Sequence, residues 1–312
     1  MNKKYEIAKD FRWVCKLKNF NNNLSMNIAN KVLSLDYLLT RPDKNTDVKK
    51  ITIKTKDNPA LDLIIFKPKK IKEKANCLVY FAGGAYMMVP TSVHKKNIIY
   101  YTKEANCVCI LVLYRLAPKH PFPSAHLDAY EALEYVFKNA EKLGVDPNKI
   151  VVGGDSAGGN LAASVCLLDR DNGYDRIKGQ MLVYPALDYG SEIKSRQIYT
   201  DTPMFNSKAE KFMLKTYYKH GFPKIWEGYA FPCKNENLKN LPPAYIETAE
   251  FDCLRDDGIK YAHLLKDDGV NSTLFETTGT MHGYDAARSS PITKEGLKSR
   301  AEFLNSIFYR KD

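Results

Sequence analysis

Ser156 stands at the centre of Gly154-Asp-Ser-Ala-Gly158, and a serine flanked by glycines two residues away on each side has a chemical use. Glycine has no Cβ, so a chain can turn sharply there and leave a hydroxyl projecting. Ahead of the motif, Ile150 to Val152 is a short β-branched run that reads as a buried parallel strand. Behind it, from Asn160 on, Leu161, Val165 and Leu168 recur at helical spacing. A strand that runs through such a serine straight into a helix is the layout of a strained turn presenting a nucleophile. The helix behind it aims backbone N–H groups and the positive end of its dipole at any oxyanion formed there. The plain alternative is a glycine-rich phosphate turn. Against it, the Lys-Ser/Thr of a P-loop is missing and Asp155 would repel a phosphate.

A serine hydroxyl needs a base to take its proton, and the base needs a third group to hold its tautomer. On open α/β sheets that carry such a turn, the three follow in the order serine, acid, histidine. Asp252, in Thr248-Ala-Glu-Phe-Asp-Cys-Leu-Arg-Asp-Asp-Gly258, is the first carboxylate past the turn after an apolar strand. Loops at that strand edge carry function in open α/β sheets. Asp256 and Asp257 fall where a helix begins, a place for an N-terminal capping charge. His282, in Met281-His-Gly-Tyr284, follows the last short strand in a glycine-containing loop. The other histidines are less well placed: His94, His120 and His126 precede the serine, His220 falls in an irregular segment and His263 lies on a helix.

The remaining chain has to bring these three strand ends together. Lys50 to Lys56 alternates as a strand with one wet face, Leu61 to Phe66 is a second, and Asp57-Asn-Pro59 marks the hairpin between them. Strands and helices then alternate: strand Cys77 to Phe81, helix His94 to Glu104, strand Cys107 to Tyr114, and a long helix from Ser124 to Leu143 opened by Pro121-Phe-Pro123. After the serine strand and helix come strands Gln180 to Tyr184 and Ala244 to Thr248, helix Asp257 to Asp267, strand Thr273 to Glu276 and a closing helix Lys294 to Phe308. Antiparallel strands followed by strand–helix units predict an α/β fold, a mostly parallel sheet with helices on both faces.

Two stretches break that rhythm. Residues 1–45 read as two amphipathic helices, with Phe11, Val14 and Leu17 on the first and Ile28, Val32, Leu35 and Leu39 on the second, interrupted from Asn19 to Asn23. Neither would be stable alone, so both are expected to pack onto something else. Residues 187–231 carry prolines, many aromatics and one helical stretch, Ser207 to Lys219, between two core strands. The expected organisation is one core, 46–312, with 1–45 and the insertion 187–231 forming a cap over the sheet's C-terminal edge.

Composition narrows the function classes. At 312 residues, with 44% hydrophobic and 27% charged, the chain has the material for one large α/β core. No apolar run approaches a bilayer span, and Met1 to Asp10 has lysines with no apolar segment behind them, so neither stable membrane insertion nor secretion is expected. Seven scattered cysteines without a C-x-x-C pair point to reduced thiols in a cytoplasm rather than disulfides or a zinc site. The net charge of +11 is spread along the chain, and its densest cluster, Lys67 to Lys74, sits between two strands. That is a solvated lysine surface, and no nucleic-acid partner is expected.

Five segments lie in order across most of the chain: Tyr80-Phe-Ala-Gly-Gly-Ala-Tyr86, Tyr114-Arg-Leu-Ala-Pro-Lys-His-Pro-Phe-Pro123, Gly154-Asp-Ser-Ala-Gly-Gly-Asn160, Phe251-Asp-Cys-Leu-Arg-Asp256 and Met281-His-Gly-Tyr284. In these the chain resembles the hormone-sensitive-lipase family of carboxylesterases (bacterial family IV), which are capped α/β hydrolases. The resemblance implies Ser156 as nucleophile, His282 as base and Asp252 as the acid that orients it. It implies oxyanion-binding N–H groups on Gly84, Ala85 and Ala157, and a small to medium acyl ester hydrolysed through an acyl-enzyme, with no metal and no cofactor. The family's oxyanion loop usually reads His-Gly-Gly-Gly/Ala, whereas Ala82 opens it here. The backbone donors stay, but the histidine side chain that would steady the loop is expected to be missed. Cys253 also stands where the family usually has proline.

Tyr86, Met87 and Met88 after that loop, with Phe205 and Tyr217 in the expected cap, are candidates for an apolar substrate pocket, plain packing being the alternative. An amidase or a deacetylase of a small metabolite would use the same constellation. A ligand-binding receptor on the same fold is a different reading, and His282 argues against it, since receptor-like members of the family lack that histidine. A homodimer paired through an edge strand is the assembly to test by analogy.

Overall fold

The computed structural model describes residues 4–16, 23–71 and 74–310. Leu17 and residues 19–22 of the expected interruption, and residues 72 and 73 of the lysine cluster, lie outside them. Among the described residues, β1 (Thr46–Ile53), β2 (Leu61–Pro68), β3 (Ala75–Phe81), β4 (Cys107–Leu113), β5 (Val145–Asp155), β6 (Ile177–Val183), β7 (Ala244–Phe251) and β8 (Ser272–Met281) form one sheet. Its order is β1-β2-β4-β3-β5-β6-β7-β8. β2 pairs antiparallel with β1 and with β4, and every other pairing is parallel. The helices are α1 (Asn23–Leu39), α2 (Ser92–Glu104), α3 (Ser124–Lys138), α4 (Ala140–Leu143), α5 (Ala157–Asp171), α6 (Lys194–Ile198), α7 (Ser207–Tyr217), α8 (Glu227–Ala230), α9 (Arg255–Asp267) and α10 (Pro291–Phe308).

The central strands are apolar at successive positions because both faces of the sheet are covered. Along β3, Cys77, Val79 and Phe81 join Ile150 and Val152 of β5 in one core, closed by Ala129 and Leu133 of α3, Leu161 and Val165 of α5, and Tyr261 and Leu265 of α9. Leu78 and Tyr80 point the other way, with Val151, into a second core closed by Ile98 and Tyr101 of α2 and Leu297, Leu304 and Phe308 of α10. This two-sided burial leaves the strand ends at one edge as the place for polar loops. Among the described residues no helix is long and apolar enough to cross a membrane.

Three expectations need correction. The helix expected from Ser124 to Leu143 breaks at Asn139, whose backbone leaves the helical region and whose side chain donates back to the Tyr135 carbonyl at 2.9 Å. The first N-terminal helix is instead two short 3₁₀ turns, Lys9–Phe11 and Val14–Lys16. Tight turns suffice to bring Phe11 and Val14 onto one side, where both are buried against Met281 and Tyr284. On α1 the stripe expected to pack faces outward: Ile28, Val32, Leu35 and Leu39 are exposed, and the buried contacts come from Met26 and Ala29 one step around the helix. Asn30 on that inner side donates to Met87 O at 2.9 Å and accepts from Val89 N–H at 3.0 Å.

The deepest polar element ties the closing helix to the end of the sheet. Arg300 of α10 is fully buried, with Nη2 2.5 Å from Glu247 Oε1 of β7 and Nη1 2.9 Å from Asp285 Oδ2. Asp285 follows β8, and Tyr284 donates its hydroxyl to Glu247 at 2.8 Å, so the loop after β8 is pinned from beneath. Removing one partner of a buried ion pair strands the others without compensation, a loss of about 3–5 kcal/mol. Arg300→Ala should therefore cost that much in urea unfolding, and a loss below about 1 kcal/mol would show that the network carries little of the fold.

Candidate active site

Ser156 sits between β5 and α5 with φ 54° and ψ −121°. Such a positive φ costs a non-glycine residue about 1–3 kcal/mol and persists only where its surroundings enforce it. Here three backbones cross. A Cβ on Gly158 would lie 1.9 Å from the Phe81 carbonyl oxygen, and one on Gly154 would lie 2.4 Å from Gly158 and 2.5 Å from that same oxygen. Both glycines are thus required by close approach. The turn is held by Ser156 N–H donating to Val183 O at 2.8 Å and Asn160 N–H donating to Ser156 O at 3.1 Å.

The other two strand ends deliver the acid and the histidine. His282 follows β8, and Gly283, with φ 69°, turns the chain behind it. Its Nε2 lies 2.9 Å from Ser156 Oγ and its Nδ1 lies 2.7 Å from Asp252 Oδ2. Asp252 is fully buried, and its other oxygen accepts from Leu254 N–H at 3.0 Å. A carboxylate beside Nδ1 keeps the proton on that nitrogen and turns the Nε2 lone pair to the serine hydroxyl. Burial by itself would lower the His282 pKa, but the charge of Asp252 and its hydrogen bond, with Asp155 and Asp285 adding, raise it above the ordinary histidine value. Asp256 and Asp257 are engaged elsewhere: Asp256 accepts from Ser195 N–H at 2.8 Å, and Asp257 takes Arg196 Nη1 and Nη2 at 2.5 and 2.9 Å. They fasten the segment after β6 onto α9.

The loop after β3 faces the serine. Gly84 (φ 132°), Ala85 (φ 55°) and Tyr86 (φ 59°) follow one another with positive φ. The N–H groups of Gly84, Ala85 and Ala157 have no protein acceptor among the described residues, whereas Gly83 N–H is taken by Asp155 Oδ1 at 3.1 Å. The loop that Ala82 was expected to leave unsteadied has another tether, because Tyr114 donates its hydroxyl to Ala82 O at 2.5 Å.

Ser156 and His282 open into a cavity of about 170 Å³ that also touches Gly84, Ala85, Met88, Tyr184, Met204 and Phe205. Of the residues expected to line a pocket, Met88 and Phe205 border it, the Phe205 ring lying 5.0 Å from that of His282. Tyr86, Met87 and Tyr217 are buried away from it. Tyr86 and Tyr217 stack at 4.0 Å with their planes 11° apart, which is packing. Sequence reasoning missed His126, which is fully buried between Tyr217 Oη (2.9 Å) and Asn160 Oδ1 (3.0 Å). It also missed the roles of Tyr114 and Asp155; only the position of Asp155 beside the serine hinted at one.

A family model described as alpha/beta hydrolase fold matches residues 78–286. The esterase LipI of Mycobacterium tuberculosis is 34% identical over 236 residues, covering 73% of this chain and 72% of its own length. Carboxylesterase NlhH of the same organism is 35% identical over 224 residues, covering 70% of each chain. Among solved structures, an esterase of Pyrobaculum calidifontis superposes with a TM-score of 0.86 at 31% identity, over 96% of this chain and 98% of that one.

The two buried histidines should titrate in opposite directions. His126 is pushed down to about 3 by burial, with nothing charged beside it, and stays neutral throughout the physiological range. His282 should titrate above the ordinary histidine value, and Asp252→Asn should bring its midpoint down by removing the charge that raises it. Imidazole ¹⁵N shifts followed against pH report both rings. A His282 midpoint that does not move in Asp252→Asn would deny Asp252 that control.

Proposed function

The chain belongs to the α/β-hydrolase fold family and is a serine carboxylesterase, and we propose that Ser156 is its nucleophile, His282 its general base and Asp252 the acid that orients His282. The observation that carries this reading is the unbroken relay from Asp252 Oδ2 through both nitrogens of His282 to Ser156 Oγ, at 2.7 and 2.9 Å. Ser156 Oγ attacks the ester carbonyl carbon while its proton passes to His282 Nε2. The carbonyl electrons move to oxygen, and that oxyanion lies among the N–H groups of Gly84, Ala85 and Ala157. Each such donor is worth on the order of 10²- to 10³-fold in turnover. Collapse of the adduct expels the alcohol, which takes the proton from His282. Water, deprotonated by the same histidine, then attacks the acyl-enzyme and releases the acid.

Residues 1–45 and 187–231 form the cap in this reading. What supports it is Met204 and Phe205 bordering the cavity over Ser156, and Asn30 of α1 holding the backbone at Met87 and Val89. Small-molecule esters are the substrates. A cavity of about 170 Å³ favours the shorter acyl chains among them.

The test is hydrolysis of p-nitrophenyl esters of graded acyl length, with the matching p-nitroanilides measured beside them. Ser156→Ala should abolish turnover. Asp252→Asn should lower kcat by about 10³- to 10⁴-fold. Activity needs neutral His282, so it falls as pH drops through that pKa; without the Asp252 charge the acidic limb should move to lower pH. Turnover that survives in a folded Ser156→Ala variant would remove the serine from the mechanism.

A further inference from the structure

Asp155 lies beside Ser156 and has its own partners, distinct from the Asp252–His282 pair. It is buried, and its Oδ1 accepts from the Tyr80 hydroxyl at 2.8 Å and from Gly83 N–H at 3.1 Å. Its Oδ2 lies 3.1 Å from His94 Nε2. The state of that ring follows from its other nitrogen: Thr91 N–H donates to His94 Nδ1 at 2.9 Å, part of the capping box at the start of α2. Nδ1 is an acceptor there, so the ring proton is on Nε2 and His94 donates to Asp155. A buried carboxylate is expensive without donors, and this one has three, from β3, from the oxyanion loop and from α2.

What these bonds grip is one peptide unit. Gly83 N–H, held by Asp155, and Ala82 C=O, held by Tyr114 at 2.5 Å, belong to the same amide plane. That plane is fixed at both polar atoms, immediately before the Gly84 and Ala85 donors. The approach is close as well, since a Cβ on Gly83 would meet Asp155 Oδ2 at 2.2 Å. We propose that His94 and Asp155, with Tyr80, are positioning residues for the oxyanion loop, doing through the backbone what a histidine side chain at position 82 would otherwise do. The inference rests on the reading of Ser156 as the nucleophile. It assigns His94 a part in the chemical step although it touches no reacting atom: it holds Asp155, Asp155 holds the Ala82–Gly83 peptide, and that peptide sets the direction of the next two N–H groups. Donor direction matters most when negative charge has formed on oxygen, so the effect belongs to turnover and not to ground-state binding.

The experiment compares wild type, His94→Ala, His94→Gln and Tyr80→Phe with p-nitrophenyl acetate and with a trifluoromethyl ketone, whose adduct on the serine carries an oxyanion. His94→Ala should lower kcat by about 10- to 100-fold, short of the loss of a whole donor, with KM changed by no more than about twofold. It should weaken the ketone by a similar factor, and His94→Gln, which can offer Asp155 an N–H, should recover most of both losses. Tyr80→Phe leaves the α2 cap intact and should move kcat in the same direction by a smaller factor, which keeps the test open if His94→Ala does not fold. Wild-type kcat in folded His94→Ala and Tyr80→Phe variants overturns the inference, as does a loss that appears in KM alone or that glutamine does not restore. Labelling of Ser156 by a fluorophosphonate separates the two levels. A wild type that is neither labelled nor active overturns the parent reading and this one with it, whereas an active, labelled wild type with unaffected variants overturns this one alone.

Discussion

Where β3 and β5 end and α5 begins, three stretches of backbone pass so close that no side chain fits between them. The Phe81 carbonyl oxygen would stand 1.9 Å from a Cβ on Gly158 and 2.5 Å from one on Gly154. Everything at the site depends on that crossing. It obliges Ser156 to take its positive φ, it starts α5 directly behind the hydroxyl, and it places Ala82, the next residue after Phe81, at the mouth of the proposed oxyanion loop. The separation between Ser156 and the proposed donors on Gly84 and Ala85 is therefore set by strand pairing, Phe81 with Gly154 in the parallel register, and not by flexible side chains. A strain of about 1–3 kcal/mol at the serine is affordable in a domain whose two cores are closed on both faces of an eight-stranded sheet.

Charge is buried around this crossing in two separate sets. Asp252 and Asp155 flank the serine, one bonded to His282 and the other to His94, and both raise the pKa of His282. Beneath them, Glu247 and Asp285 share Arg300, and Asp285 also accepts from the Tyr184 hydroxyl at 2.8 Å and Asn97 at 3.0 Å. The loop 282–285 joins them: His282 belongs to the first set, and Tyr284 and Asp285 belong to the second. The loop that presents His282 to the serine is the one whose next residues lock α10 to β7, so the proposed general base is mounted on a loop anchored by a buried ion-pair network. In the proposed mechanism, rigid mounting is what lets the 2.9 Å contact serve as a proton path.

Much of this was legible in the chain because the chemistry is local in sequence. Gly154 and Gly158 announce the turn, and Asp252 and His282 each follow directly on a strand. Asp252 could be set apart from Asp256 and Asp257 by its place before the helix, and the structure gives those two backbone and Arg196 partners. Position 94 was opaque for the opposite reason. Its partner lies 61 residues away, and its only local sign is the Thr91-x-x-His94 spacing of a capping box with histidine where Glu or Gln is usual. On α1, periodicity marked an apolar stripe but could not say which side meets the protein: the 28, 32, 35, 39 stripe is exposed, while Met26 and Ala29 pack. The break at Asn139 was hidden because one asparagine does not interrupt an otherwise helical pattern unless its side chain returns to the backbone, as it does to Tyr135.

Tyr86 makes the largest departure from a pocket reading, and its position shows how the proposed cap acts on the chemistry. A bulky aromatic residue at φ 59° is unfavourable, and it follows Ala85, which is itself at 55°. Its ring is held flat against Tyr217 of α7, and Tyr217 donates its hydroxyl to neutral His126, which in turn donates to Asn160 on the first turn of α5. Asn160 donates to Ala186 O, just before the inserted segment, and to Ala230 O, near its end. The run therefore begins at the loop after β3, crosses the insertion and ends on the helix behind Ser156. Stacking and buried hydrogen bonds of this kind are each worth about 0.5–1.5 kcal/mol, enough together to hold two consecutive left-handed residues. One helix of the insertion thus supplies the surface against which the strained end of the loop after β3 is seated. In the proposed mechanism, geometry at the oxyanion is then shared between the Asp155 side, which fixes the entry to the loop, and α7, which fixes its exit.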